Sequence, residues 1–355
     1  MLPSHAYHRL TADLTICRLL NGLWQVSGAH GRIEPDAALR NMLDYHDAGF
    51  TTWDLADHYG PAEDFIGSFR RELAHRDGSS ALQHVQAFTK LVPRAFTKLV
   101  PRPGRMTRQV VEAAIDISRR RMQVDTIDLL QFHWWDYADR NYLDALKHLA
   151  DLQQEGKIRH LALTNFDTER LRLITEAGIR IVSNQVQYSI VDQRPAARMA
   201  AFCQAARMAA FCQQHGIALL TYGTLGGGLF SEAYLGQPEP SPANLTTASL
   251  RKYKNMIEAW GGWSLFQELL RVLKAIADRH GSTIPLVATR FILDQPTVAG
   301  VIVGVRLGLR DHHTENARVF DLHLTTEDTA AIAAVTARAR DLMRVIGDCG
   351  DEYRR

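Results

Sequence analysis

The sequence predicts an α/β protein, a (β/α)8 barrel with its active site at the C-terminal rim of the strands. Three observations lead there. Eight short apolar, β-rich runs lie at 16–24, 50–53, 84–89, 126–132, 158–164, 181–187, 217–222 and 298–303. Segments of helical periodicity alternate with them. Polar residues gather where the strands end, while the strand bodies stay apolar. Strands alternating with helices imply parallel pairing through right-handed crossovers. Eight strands suit a closed barrel; a doubly wound open sheet is the alternative that the pattern alone leaves standing.

The helical segments include 35–48, 107–122, 141–155, 167–177 and 264–280. Thr107, and Asp167 with Thr168, stand where a side-chain oxygen can cap the first turn. Gly49, Gly156, Gly178 and Gly216 each precede the next strand, where a helix C-terminus favours positive φ.

Composition narrows the classes. The 355 residues are 46% apolar and 23% charged, with formal net charge +2, as in ordinary globular chains. That balance argues against nucleic acid or an anionic membrane as partner. The basic run Arg119-Arg120-Arg121 reads as a solvated helix face. Four scattered cysteines, Cys17, Cys203, Cys212 and Cys349, form no C-x-x-C pair and suggest free thiols in a reducing compartment. No secretory leader or membrane-length apolar run is evident, so a cytoplasmic protein is expected.

Two perfect tandem repeats interrupt the pattern. AFTKLVPR occurs at 87–94 and again at 95–102; AARMAAFCQ occurs at 196–204 and again at 205–213. They are too short for a solenoid and read as recent duplications or engineered insertions. The first is expected in the loop after strand 3. In a helix, nine extra residues at about 100° each end half a turn out of phase. One copy of the second should therefore loop out, or its helix should overrun the barrel.

At the rim, strand 2 ends at Asp54, with Tyr59 five residues on. Strand 3 ends at Lys90, strand 4 at His133 and strand 5 at Thr164-Asn165. Strand 6 carries Gln185, strand 7 ends at Tyr222 and Arg306 follows strand 8. Taken singly each has an ordinary reading: a helix cap for Asp54, a loop aromatic for Tyr59, a solvent lysine, a core histidine, a turn asparagine. Their coincidence at one rim favours an active site.

With DLADHYG (54–60), AFTK (87–90), LLQFH (129–133), LTNF (163–166), SNQVQYS (183–189), TYGTLGGGL (221–229) and VIVGVR (301–306), the chain resembles the aldo-keto reductases and, more loosely, the potassium-channel β subunits. The resemblance implies hydride transfer between NADP(H) and an aldehyde, ketone or alcohol, with NAD less favoured. It implies Tyr59 as general acid/base, with Lys90 lowering its pKa, Asp54 holding Lys90, and His133 orienting the substrate oxygen. Thr164, Asn165 and Gln185 would bind the carboxamide and Tyr222 would stack on the nicotinamide. Gly223, Leu225 and Gly227 would bring backbone to the pyrophosphate, although G-x-x-G-G-G is not the G-x-G-x-x-G fingerprint. Gly304, Arg306, Arg310 and Asn316 would hold the adenosine phosphate end, in a stretch about two residues longer than the usual spacing. Trp24, Trp134 and Trp135 would line the mouth.

Lys90 is preferred to its duplicate Lys98, because Lys98 would place Pro93 inside a central strand. The alternative function is a cofactor-binding regulatory or redox-sensing subunit with little turnover. A metal-dependent hydrolase is disfavoured: His312-His313 are adjacent rather than spaced as H-x-x-x-H, and no metal motif appears. Residues 231–263 are expected to contain an insertion, either a lid over the cofactor or a surface helix, and 345–355 form a tail, disordered or docking.

Overall fold

The computed structural model describes residues 2–28, 33–93, 106–196 and 208–353. Eight parallel strands close into a barrel: β1 Leu19–Gly22, β2 Thr52–Asp54, β3 Gln86–Leu91, β4 Ile127–His133, β5 Ile158–Thr164, β6 Ser183–Gln187, β7 Ala218–Tyr222 and β8 Val298–Gly304. β8 returns to β1 through Val301 opposite Leu19 and Gly304 opposite Gly22. An open sheet is thereby excluded.

The first apolar run is not one strand. Thr15–Cys17 pairs antiparallel with Tyr7–Arg9 below the barrel, and β1 begins only at Leu19. The break falls at Arg18. Its amide donates to Ala6 O, and its guanidinium reaches the carbonyls of Leu293 (2.6 Å) and Val298 (3.2 Å). The hairpin plugs the barrel floor, where Leu14 and Ile16 pack with Leu20, Phe88, Leu129, Ala162 and Leu220.

Side chains alternate along a strand, so residues two apart share the barrel interior. Climbing from that apolar floor, Phe88 is followed by Lys90, Leu129 by Gln131 and His133, Ala162 by Thr164, and Leu220 by Tyr222. The interior changes from hydrocarbon to hydrogen-bonding groups within two steps, all toward the C-terminal rim.

The surrounding helices include α1 Pro35–Asp47, α2 Ala62–Asp77, α3 Arg108–Met122, α4 Asn141–Gln154, α5 Thr168–Glu176 and α6 Met208–His215. After β7 come α7 Ala248–Trp260, α8 Gly262–Arg279 and α9 Ile284–Leu293; α10 His313–Ala317, α11 Thr326–Thr336 and α12 Leu342–Val345 follow β8. The anticipated caps form: Thr107 accepts from Val110 N and Asp167 from Arg170 N. α6 belongs to the second copy of its duplication and buries Met208, Ala209 and Cys212. Residues 197–207, and the second AFTKLVPR copy with Lys98, lie outside the described residues. Among the described residues, no helix is long and apolar enough to cross a membrane.

Candidate active site

Asp54, Lys90, Gln131 and Gln185 meet inside the upper barrel. Lys90 Nζ donates to both Asp54 oxygens (2.8 and 2.7 Å) and to Leu55 O (3.0 Å). Gln131 Nε2 (2.9 Å) and Gln185 Nε2 (2.7 Å) donate to Asp54 Oδ1, and Gln185 also donates to Gln131 Oε1 (2.7 Å). All four side chains are buried. Gln131 was not anticipated, although it stands two residues before His133 in the same inward column.

Tyr59 projects from the β2–α2 loop over this cluster. Its ring centroid lies 5.3 Å from Lys90 Nζ, and Trp24 meets it edge-on at 5.0 Å. The loop is tied to β3, since Asp57 N donates to Lys90 O (3.1 Å) and Val92 N to Asp57 Oδ2 (3.1 Å). Arg121 holds it from outside, donating to Asp57 O (3.1 Å), Gly60 O (2.5 Å), Glu63 (2.8 Å) and Asp64 (2.8 Å). The solvated-face reading of 119–121 therefore fails at Arg121, whose hydrogen bonds fix the backbone on either side of Tyr59.

The expected lowering of the Tyr59 pKa is not what this environment produces. Burial pushes the phenol well above its ordinary value, and the nearby Asp54 and Asp57 charges add to the rise. Burial also lowers the Lys90 ammonium, with Asp54 opposing. Tyr59 is thus held as a neutral phenol, the form that can donate a proton.

His133 faces the same mouth. Its ring stacks obliquely on Trp135 at 4.1 Å, and Asn165 Nδ2 approaches Nε2 at 3.5 Å. Asn165 adopts φ 58°, a left-handed conformation that asparagine tolerates, held by its amide on Gln185 O (2.8 Å). Its Oδ1 accepts from Tyr222 OH (2.8 Å). Trp134 does not line the mouth. It is 1% exposed, packs on Phe132, and donates its indole N–H to Asp136 O and Asp139 O; adjacent residues point to opposite sides.

Several features fit a dinucleotide beside this cluster. Thr164 Oγ1 is buried with no hydrogen-bond partner among the described residues, leaving an orphaned polar atom near Asn165. Gln185, by contrast, directs its NH2 to Asp54 and Gln131. In the loop after β7, Gly223 (φ 74°) and Gly227 (φ 66°) pass directly under Tyr253 and Ser249 of α7, so an added Cβ would collide there. The backbone around Leu225 is left close to the surface. Beyond Gly304, Arg306 and Arg310 are exposed and make no side-chain hydrogen bond or ion pair among the described residues, while Asn316 is half-buried on α10. Among the described residues, no His, Cys, Asp or Glu group could hold a metal.

The model of the aldo/keto reductase family matches residues 18–337. The chain belongs to that family of oxidoreductases. Flagellar radial spoke protein 5 of Chlamydomonas reinhardtii is 28% identical over 67% of this chain, which spans about half (49%) of that relative's length. The NADH-specific methylglyoxal reductase of Escherichia coli is 22% identical, over 90% of this chain and 94% of the relative. The glycerol dehydrogenase of Gluconobacter oxydans superposes with a TM-score of 0.72 at 22% identity, covering 98% of each chain. At that identity it speaks for the barrel alone.

Proposed function

We propose that the chain is an NADP(H)-dependent oxidoreductase that transfers hydride between the nicotinamide and an aldehyde, ketone or alcohol, with Tyr59 as general acid and base. The observation that carries this reading is Lys90, locked to Asp54 and set against the Tyr59 ring, with His133 across the mouth. A bound nicotinamide supplies the hydride in reduction. Tyr59 holds the proton that the carbonyl oxygen takes up, and Lys90 stabilises the phenolate left behind. His133 orients that oxygen, and Trp24 and Trp135 wall the mouth. Thr164, Asn165 and Tyr222 would hold the carboxamide and ring, and the loop at 223–227 the pyrophosphate. Arg306 and Arg310 favour the 2′-phosphate of NADP, since guanidinium suits phosphate oxygens. The NADH-specific relative makes NADH the necessary comparison.

A raised Tyr59 pKa favours reduction near neutrality, because oxidation of an alcohol needs the phenolate. The free, buried thiols of Cys17 and Cys212 agree with a reducing cytoplasm. The regulatory alternative has one observation in its favour: Tyr353 of the C-terminal segment packs beside His133 and Trp135 at the mouth.

The test is oxidation of NADPH, and separately of NADH, with a reactive aromatic aldehyde. The parent is compared with Tyr59→Phe, Lys90→Met and Lys98→Met. Turnover lost in the first two variants and kept in the third is expected. A parent that binds NADPH without turning over would refute the catalytic reading.

A further inference from the structure

Above the catalytic cluster stands a cation that the reaction proposed so far does not use. Lys252 on α7 has no carboxylate within ion-pair distance among the described residues. Every other lysine among the described residues has one: Lys90 has Asp54, Lys147 has Asp144, Lys157 has Glu112 and Asp116, Lys254 has Glu239 and Glu258, and Lys274 has Asp278. The Lys252 ammonium instead lies among three tyrosine rings, 5.2 Å from Tyr222, 5.3 Å from Tyr253 and 4.1 Å from Tyr353, and donates to the Tyr353 hydroxyl. Withdrawing an ammonium from water without a counter-ion is costly. Burial accordingly pushes this one down to about 8, against the partial support of Glu352.

The place is next to the chemistry. The Tyr353 hydroxyl is 3.0 Å from that of Tyr222, which bonds Asn165. The Tyr353 ring lies 6.2 Å from the His133 ring and 5.5 Å from Trp135. Tyr353 therefore stands between the lysine and the side chain that would orient the substrate oxygen. It is brought there from the far end of the chain by a buried latch. Arg194, 1% exposed, binds Asp192 (2.8 Å), Glu352 (2.9 Å) and Asp348 O (3.0 Å), while Thr168 N donates to Asp348 Oδ2 (3.0 Å).

We infer that Lys252 is a specificity-determining residue that receives an anionic group of the substrate, a carboxylate on the aldehyde or ketone, and that the Tyr353 hydroxyl occupies this place until the anion replaces it. The inference rests on the oxidoreductase reading. It gives the substrate two handles, a carbonyl at Tyr59 and His133 and an anion at Lys252, with Trp135 between.

The pair 4-carboxybenzaldehyde and methyl 4-formylbenzoate shares the aromatic aldehyde and differs in the charge and one methyl group. The parent should favour the carboxylate in kcat/KM by roughly ten- to hundredfold, the range of a charge-assisted hydrogen bond. In Lys252→Met the ratio should fall toward one, and Lys252→Arg should restore most of it. Binding of p-toluate, followed by calorimetry with NADP present, reads the same site without turnover. It should weaken about tenfold or more in Lys252→Met and strengthen in Tyr353→Phe, which frees the ammonium while keeping the ring. An aldehyde-inactive parent that still binds p-toluate through Lys252 would refute the catalytic reading and leave this site standing. A parent that shows neither carboxylate preference nor p-toluate binding would overturn the inference. So would a Lys252→Met variant that loses NADPH affinity, by fluorescence titration, with its carboxylate preference intact, since the anion on Lys252 would then be a cofactor phosphate.

Discussion

Replacing Arg121 by Met should loosen the Tyr59 loop and destabilise the protein together. The variant removes the donors to Asp57 O and Gly60 O on either side of Tyr59. It also leaves Glu63, 0% exposed, with the Thr89 hydroxyl (2.7 Å) but without its cation. Breaking a fully buried ion pair costs about 3–5 kcal/mol. The Arg121 side chain is 23% exposed, so solvent screening reduces that to about 2–4 kcal/mol. For a chain of this size the loss corresponds to roughly 3–5 °C in Tm. A displaced acid should lower kcat about ten- to hundredfold. The dependence on pH follows from Glu63. Burial already raises its pKa, and Arg121 opposes the rise. A group raised in the folded state contributes stability below its unfolded value and loses it as pH rises through the folded one. Without Arg121 that loss deepens, so the Tm deficit should be larger at pH 8 than at pH 5. Thermal melts at both pH values and single-turnover rates measure these effects. A deficit under 1 °C that does not change with pH, with kcat within twofold of the parent, would refute the role given to Arg121.

Gly223→Ala should weaken NADPH binding and cost about 1–3 kcal/mol, because the new Cβ would lie 2.5 Å from Tyr253 Oη at φ 74°. Gly178→Ala, at φ 76° with open space around it, is the control, and equal losses would contradict the close approach of α7. Asp328→Ala should cost about 1–3 kcal/mol at pH 7, since its carboxylate closes the α11 capping box and binds Arg279 and His280. These contacts hold its pKa below the carboxylate range. The stability it contributes is therefore present above about pH 4 and shrinks in acid, where melts of parent and variant should converge.

Much of the site is legible in the sequence because chemistry and period coincide. Asp54, Lys90, His133 and Thr164 each end an apolar strand, and a barrel gathers strand ends at one rim. The same alternation could have shown two things that end-of-strand reasoning misses: Gln131 belongs to the inward column two residues before His133, and Trp134, next to His133, points away. Other features depend on partners distant in sequence. Arg121 looks like one of three solvated arginines until α3 is laid against the loop of Tyr59. Residues 348–353 carry no pattern that predicts docking, because their anchor is Arg194, more than a hundred residues earlier. The first strand reads too long because apolar hairpin and barrel residues follow one another across Arg18, and only tertiary bonds mark the break.

The buried Asp54 cluster explains why this rim can hold a charged lysine at all. Taking an ammonium and a carboxylate out of water costs several kcal/mol each unless every donor and acceptor is matched. Here Asp54 accepts two bonds from Lys90 and one from each of two glutamines, and Lys90 spends its third proton on Leu55 O. Matched in this way, the pair contributes little net stability but allows the ammonium almost no freedom. A fixed positive charge against the Tyr59 ring adds little to folding, and it would serve the proton transfer proposed for that phenol. Substituting Gln131 and Gln185 together by Leu should therefore alter the acid limb of activity more than Tm, because it frees Asp54 to turn while leaving the ion pair in place.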